Sequence, residues 1–207
     1  MDDDAEPKKN SLEKLLECKV EDAVAITPME EENGKLFHYH RGFFSSSIFS
    51  RGILKRLKEA DIKGRCIEID HSSFVGLLIK SDAVREIGLP QEDFFIKFDD
   101  LEYCLRLKKC GKIYMSTNSL IIHKAELKKK KGTWPFLVDH YYARRNLLIV
   151  LKQYSKAKFY MYSLYFLLRS FLELPFILIS GEDVGVKLRA NLKAIFHGIT
   201  GKVGRTF

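Results

Sequence analysis

The sequence predicts an α/β fold, a mixed sheet with flanking helices, followed by amphipathic C-terminal helices. Three observations predict it. Short strand-like runs alternate with short helical patterns as far as residue 135. From residue 136 onward only helical patterns remain. At 207 residues, 46% hydrophobic and 30% charged, the chain is large enough to bury a real core. Residues 1–135 are therefore expected to form the α/β part and residues 136–207 a helical region.

The chain starts MDDDAEPKK. Three adjacent carboxylates repel one another and need solvent or a cation. At an extended strand end, Asp2 and Asp4 would share a side and offer hard oxygen ligands to Mg²⁺ or Mn²⁺; a solvated acidic terminus is the plainer reading. SLEKLLECK then predicts a short amphipathic helix with Leu12, Leu15 and Leu16 inward. Val24–Ile26 reads as a buried strand, Glu30–Gly34 as a charged turn and Lys35–His40 as a short edge strand. Arg41–Arg51 reads as an irregular loop with exposed aromatics.

Cys66–Asp70 alternates like a strand, and Phe74–Ile79 is an apolar run suited to a core strand or a buried helical segment. Ser81-Asp82 predicts the start of a helix that ends at Gly88, before Pro90. In FFIKFDDLEYCLRLKKCG, Asp99 is a candidate N-cap with Glu102 completing a capping box. Leu101, Cys104 and Leu105 come next at helical spacing, and Gly111 falls where a left-handed C-cap is expected. Asp100 would project from the first turn, where the helix dipole favours its ionised form. Two short strands, Ile113–Ser116 and Leu120–Ile122, are expected around the turn Thr117–Ser119, with His123 at the end of the second. Residues 136–154 predict a helix with Leu137, Tyr141, Asn146, Leu148 and Leu151 inward.

Phe159–Ser180 is the longest apolar run. It is long enough to cross a bilayer, but Arg169 and Glu173 lie within it, four residues apart on one face, and Pro175 would bend it. A helix lying in the membrane interface, or packed on another such helix, fits this pattern better than a span. The tail, VKLRANLKAIFHGITGKVGRTF, predicts a second basic amphipathic helix. Charge is uneven: residues 1–34 hold eleven Asp/Glu against four Lys/Arg, and residues 124–207 sixteen Lys/Arg against five Asp/Glu. The basic end points to an anionic partner. Basic residues do not alternate with aromatics on a sheet pattern and no helix-turn-helix or zinc spacing occurs, which argues against nucleic acid. The four cysteines show no CxxC pair, so reduced thiols in a cytosolic protein are expected.

In order along the chain, MDDDAEP with SLEKLL, FVGLLIKSDAVREIGLP, DFFIKFDDLEYCLRLKKCGK with IIHK, and DHYYARRNLLIVL resemble the family 2 glycosyltransferases of the GT-A fold. The nearest likeness is to the bacterial rhamnosyltransferase and galactofuranosyltransferase branch. The resemblance implies that Asp2 and Asp4, with His123, hold Mg²⁺ or Mn²⁺, and that Asp3 contacts a nucleotide-sugar donor. It implies Asp100 as general base, Asp99 as its acidic neighbour, His140 near the diphosphate and Asn146 in a structural role. It further implies inverting sugar transfer to a glycan or lipid-linked acceptor in envelope polysaccharide synthesis. The place would be the cytoplasmic face of the membrane, with the C-terminal helices on its surface and a homo-oligomer possible. In the family a nucleotide-binding half precedes the D-x-D element; residues 1–135 match only the part of the domain downstream of that half. The expectation is therefore a partial GT-A domain, or an inactive remnant that binds membrane surface.

Overall fold

A computed structural model of the chain describes residues 5–32, 35–37, 40–50, 52–124, 133–180 and 183–207. It is of mixed α/β class and divides into two compact units. One comprises residues 1–45, 52–90 and 100–127, the other residues 46–51, 91–99 and 128–207.

The first unit begins with β1 (Ala5–Pro7) and α1 (Ser11–Leu16) and continues into β2 (Ala23–Glu32), β3 (Lys35–Phe37), β4 (Arg41–Phe44) and β5 (Leu54–Arg56). It goes on through β6 (Cys66–Ile69), β7 (His71–Ser72), β8 (Leu78–Ile79), α2 (Ser81–Ile87), α3 (Asp99–Leu107, of which Asp99 itself falls in the second unit) and β9 (Lys112–His123). Two strands organise the larger sheet. β9 runs parallel to β2 and antiparallel to β1 and β6, while β2 also takes β3 and β8 antiparallel. A smaller sheet has the order β5-β4-β7. β2 is buried almost throughout, as a central strand with a near-continuous apolar run should be. Val24, Ala25, Ile69, Ile113, Met115, Tyr103 and Leu107 meet in the core between sheet and α3.

Several expectations change here. β9 is one strand, not two. Its register against β2 jumps from Pro28↔Ser116 to Met29↔Leu120, so the Thr117–Ser119 stretch is a bulge. Pro28 sits at that irregularity, where its missing N–H costs no ladder bond. Glu30–Glu32 belong to β2, not to a turn, and Arg41–Phe44 form a strand, not a loop. Leu15 is buried, but Leu12 and Leu16 are exposed, because one turn and a half of helix presents a single narrow face. Glu102 does not complete a capping box: it is buried against Arg106, whose guanidinium also caps the end of α2 by donating to the carbonyls of Ile87 and Leu89. Gly111 is required by close approach rather than by a left-handed φ. A Cβ there would lie 2.5 Å from Val24 Cγ1 and 2.6 Å from the Asp22 carbonyl oxygen. Cys18 and Cys66, expected as thiols, are joined in a disulfide with their Cα atoms 5.8 Å apart. Cys104 and Cys110 are free.

The second unit is helical. It contains α4 (Thr133–Phe136), a π-helical stretch Leu137–Tyr142, then α5 (Ala143–Tyr154), α6 (Lys156–Ser180) and α7 (Val184–Thr200). The expected inward residues of α5 and the turn before it are all buried. α6 carries Pro175 inside it and is long and apolar enough to interact with a membrane. Most of its surface is exposed: Tyr160, Leu164, Leu168, Phe171, Phe176 and Ile179 all face outward. The expected Arg169–Glu173 pair forms, Nε to Oε1 at 2.7 Å.

Candidate metal centre

Glu30 is fully buried near the C-terminal end of β2. A buried carboxylate is tolerated only when paired, and Arg41, also fully buried, supplies the pair from the first position of β4. Arg41 Nη1 donates to Glu30 Oε2, and its Nη2 donates to the Val75 carbonyl at 3.1 Å. The other carboxylate oxygen faces two imidazoles. His123 Nδ1 lies 2.7 Å from Oε1 and His40 Nδ1 lies 3.4 Å from it.

One ligand atom from each of Glu30, His40 and His123 lies within 4.8 Å of the others, so the three form a group that could hold a metal ion. His123 is nearly buried and His40 is 42% exposed, so the group opens on the His40 side. Burial alone would raise the Glu30 carboxyl. The His40 hydrogen bond and the Arg41 charge outweigh it and bring the pKa down to about 2. His71, the register partner of Gly42, is pushed down to about 4 by burial and by Arg41.

The acidic pair has its own setting. Asp99 and Asp100 are half-buried and open α3. Asp100 Oδ1 accepts from the Leu101 amide at 2.7 Å. One turn on, the Cys104 thiol donates to the Ser72 carbonyl at 3.3 Å and tethers α3 to β7. Burial pushes that thiol up to about 12; the Ser72 backbone works against the rise, and Asp100 adds to it.

The chain matches no protein-family model and no curated protein.

Of the residues singled out from sequence, His123 joins the metal-capable group and Asp100 lies in the same unit. Asp2, Asp3 and Asp4 lie outside the described residues; they immediately precede Ala5, whose register partner in β9 is His123. His140 belongs to the helical unit. It stacks on Phe136 with ring centroids 4.0 Å apart, and its Nε2 is 3.7 Å from Glu173 Oε1. Glu173 is held by both Arg144 and Arg169, which keep its carboxyl low although burial alone would raise it.

Asn146 has the role expected of it in the backbone. Its amide nitrogen is shared between the carbonyls of Phe94, Ile96 and Lys97, at 2.8–3.0 Å. Arg145 adds bonds to the Phe94 and Gly204 carbonyls and to Asn146 Oδ1. The segment so held contains three non-glycine residues at left-handed φ, Phe95 (64°), Lys97 (68°) and Phe98 (63°), and leads directly into Asp99. Such strain persists only where surrounding bonds over-determine the backbone.

Sequence reading missed Glu30, His40 and Arg41. A usable signal was present: Asn33-Gly34 is a strong two-residue hairpin signal. Read that way, it extends the preceding strand through Glu30.

Proposed function

We propose that this chain is the acceptor-side part of an inverting, metal-dependent glycosyltransferase of the family 2, GT-A type. It would move a sugar from a nucleotide-sugar donor to a glycan or lipid-linked acceptor. One observation carries the reading: the Ala5↔His123 pairing links the strand after the acidic triplet to the group formed by His123, Glu30 and His40. α3, with Asp100 in its first turn, belongs to the same unit.

In the proposed reaction an acceptor hydroxyl oxygen forms a bond to the anomeric carbon while the bond to the diphosphate oxygen breaks, the electron pair leaving with the diphosphate. Asp100 takes the hydroxyl proton as it becomes acidic. Asp99 orients the acceptor beside it. His123, with Asp2 and Asp4, would hold a divalent cation, Mg²⁺ or Mn²⁺, whose positive charge would offset the negative charge developing on the leaving diphosphate. The basic, apolar helical unit keeps the chain at the cytoplasmic membrane surface, its exposed α6 face against lipid.

The test is titration of the chain, joined to the nucleotide-binding half of a family 2 glycosyltransferase, with a panel of nucleotide diphosphate sugars in the presence of Mn²⁺. Saturable binding, displaced by the free nucleoside diphosphate, is expected for at least one of them. Asp100→Asn should leave that binding in place and abolish turnover. Absence of saturable binding at millimolar donor, with the chain still floating on anionic liposomes, would instead favour a non-catalytic membrane-binding remnant, a reading that rests on the exposed apolar face of α6.

A further inference from the structure

The donor set at Glu30 is rich in nitrogen. Arg41 alone satisfies the charge of the Glu30 carboxylate. Two imidazoles nevertheless converge on the oxygen that Arg41 leaves open, His123 Nδ1 at 2.7 Å and His40 Nδ1 at 3.4 Å. That is more than a buried ion pair needs. The three residues come from separate stretches of the first unit, β2, the segment just before β4, and the end of β9. Their convergence is therefore set by the sheet and not by local sequence.

We propose that Glu30, His40 and His123 form a three-ligand site selective for a first-row transition-metal ion over Mg²⁺. The inference deepens the metal-dependent reading above and rests on it only in sharing His123. Its basis is donor chemistry. Mg²⁺ demands six oxygen ligands in near-ideal octahedral geometry and keeps most of its water. Imidazole nitrogen suits zinc, copper, iron and nickel, with affinity rising from Mn²⁺ through Co²⁺.

Size agrees. Ligand atoms at zinc bond lengths in a tetrahedral site stand about 3.3 Å apart. Here they span 2.7 Å to at most 4.8 Å, so changes in spacing of at most about 1.5 Å close the shell. Arg41 fixes Oε2, leaving Oε1 as a single oriented oxygen ligand, the outer-shell arrangement that steadies metal-bound carboxylates. Among the described residues the site has three protein ligands, and His40 is its most exposed member.

The experiment is calorimetric titration of the untagged full chain with Zn²⁺, Co²⁺, Mn²⁺ and Mg²⁺ alone. Co²⁺ is also followed by its visible absorption, which reports nitrogen ligation. One Zn²⁺ and one Co²⁺ per chain are expected to bind, Mn²⁺ more weakly, and Mg²⁺ not at all at millimolar concentration. His40→Ala, checked by circular dichroism, should weaken Zn²⁺ by at least about 100-fold, the upper end of what loss of an outer-shell partner costs. Glu30→Gln, checked by circular dichroism, should do the same. Unaltered Zn²⁺ binding in His40→Ala, equal affinity for Mg²⁺, or no binding of any of these ions would each overturn the proposal. Binding that depends on Asp2 and Asp4 but not on His40 would also overturn it, while leaving the proposed transfer reaction standing.

Discussion

The first unit buries a carboxylate and arranges three cationic or imidazole side chains around it; the second buries an arginine and an amide and spends them on carbonyls. In the first, Glu30 is satisfied by Arg41 and still faces two further nitrogen donors. In the second, the hydrogen bonds of Arg145 and Asn146 go to the backbone of residues 93–97 and 204 or to each other. Both are costly to bury, and both are paired. The difference lies in what remains after pairing. Around Asn146 the bonds are consumed in holding a backbone shape. Around Glu30 the donor atoms converge on a point where an ion can sit.

The largest effect is expected where the first cluster loses its counter-charge. Arg41→Met leaves Glu30 buried without its ion-pair partner. It should cost about 3–5 kcal/mol in urea unfolding, the range for breaking a buried pair. Glu30→Leu/Arg41→Met should recover most of that loss, since well-packed apolar replacements of a buried pair are often neutral or better. A cost under about 1 kcal/mol for the single variant would show that Glu30 is not sealed as an ion pair.

Next comes the second cluster. Asn146→Ala strips a donor from three carbonyls and should cost about 2–3 kcal/mol, as buried groups left unsatisfied do. Asn146→Asp keeps the shape, removes the amide donor and should lose a similar amount. Neither should alter metal binding in the first unit, whereas His40→Ala should weaken it. If Asn146→Ala changed metal affinity, the two clusters would not be independent and the contrast would fail.

Gly198→Ala probes how tightly the second unit is packed. In an isolated helix the change stabilises by about 1 kcal/mol. In α7 the added Cβ would meet Leu148 Cβ and Cδ1 at 2.8 Å and the Arg145 carbonyl at 3.2 Å. A net loss of about 1–2 kcal/mol in thermal unfolding is expected from overpacking. A gain would mean that α5 and α7 give way easily.

Much of the element pattern was readable from the chain, because the signals for α2, α3, β6 and α5 are local: apolar spacing, Gly88 before Pro90, alternation in CIEID. The Arg169–Glu173 pair was readable for the same reason. What could not be read locally is burial of charge. Glu30 stands in the run Glu30-Glu31-Glu32, which by composition belongs in water; it is buried only because Arg41 is carried back against it by the chain reversal between β2 and β3. The bulge in β9 was misread because Thr-Asn-Ser is turn chemistry, and pairing with β2 on both sides of it keeps the strand continuous. Of the metal-capable group, His123 was legible, and Glu30 and His40 were illegible for the reason that hid the burial.

The smallest effect distinguishes strain from packing in the second cluster. Lys97 is exposed, holds φ at 68°, and pairs with the exposed Asp139 at 3.5 Å. A left-handed conformation costs a residue with a side chain about 1–2 kcal/mol. Glycine escapes that cost but loses about 0.5–1 kcal/mol more backbone entropy on folding. Lys97→Gly should therefore raise stability slightly, by about 0.5 kcal/mol. The gain requires that the carbonyl bonds from Asn146 keep the segment in place, since those bonds, and not the Lys97 side chain, fix its path. A loss comparable to that of Asn146→Ala would mean the reverse, that side-chain packing holds the segment and the carbonyl bonds merely follow it.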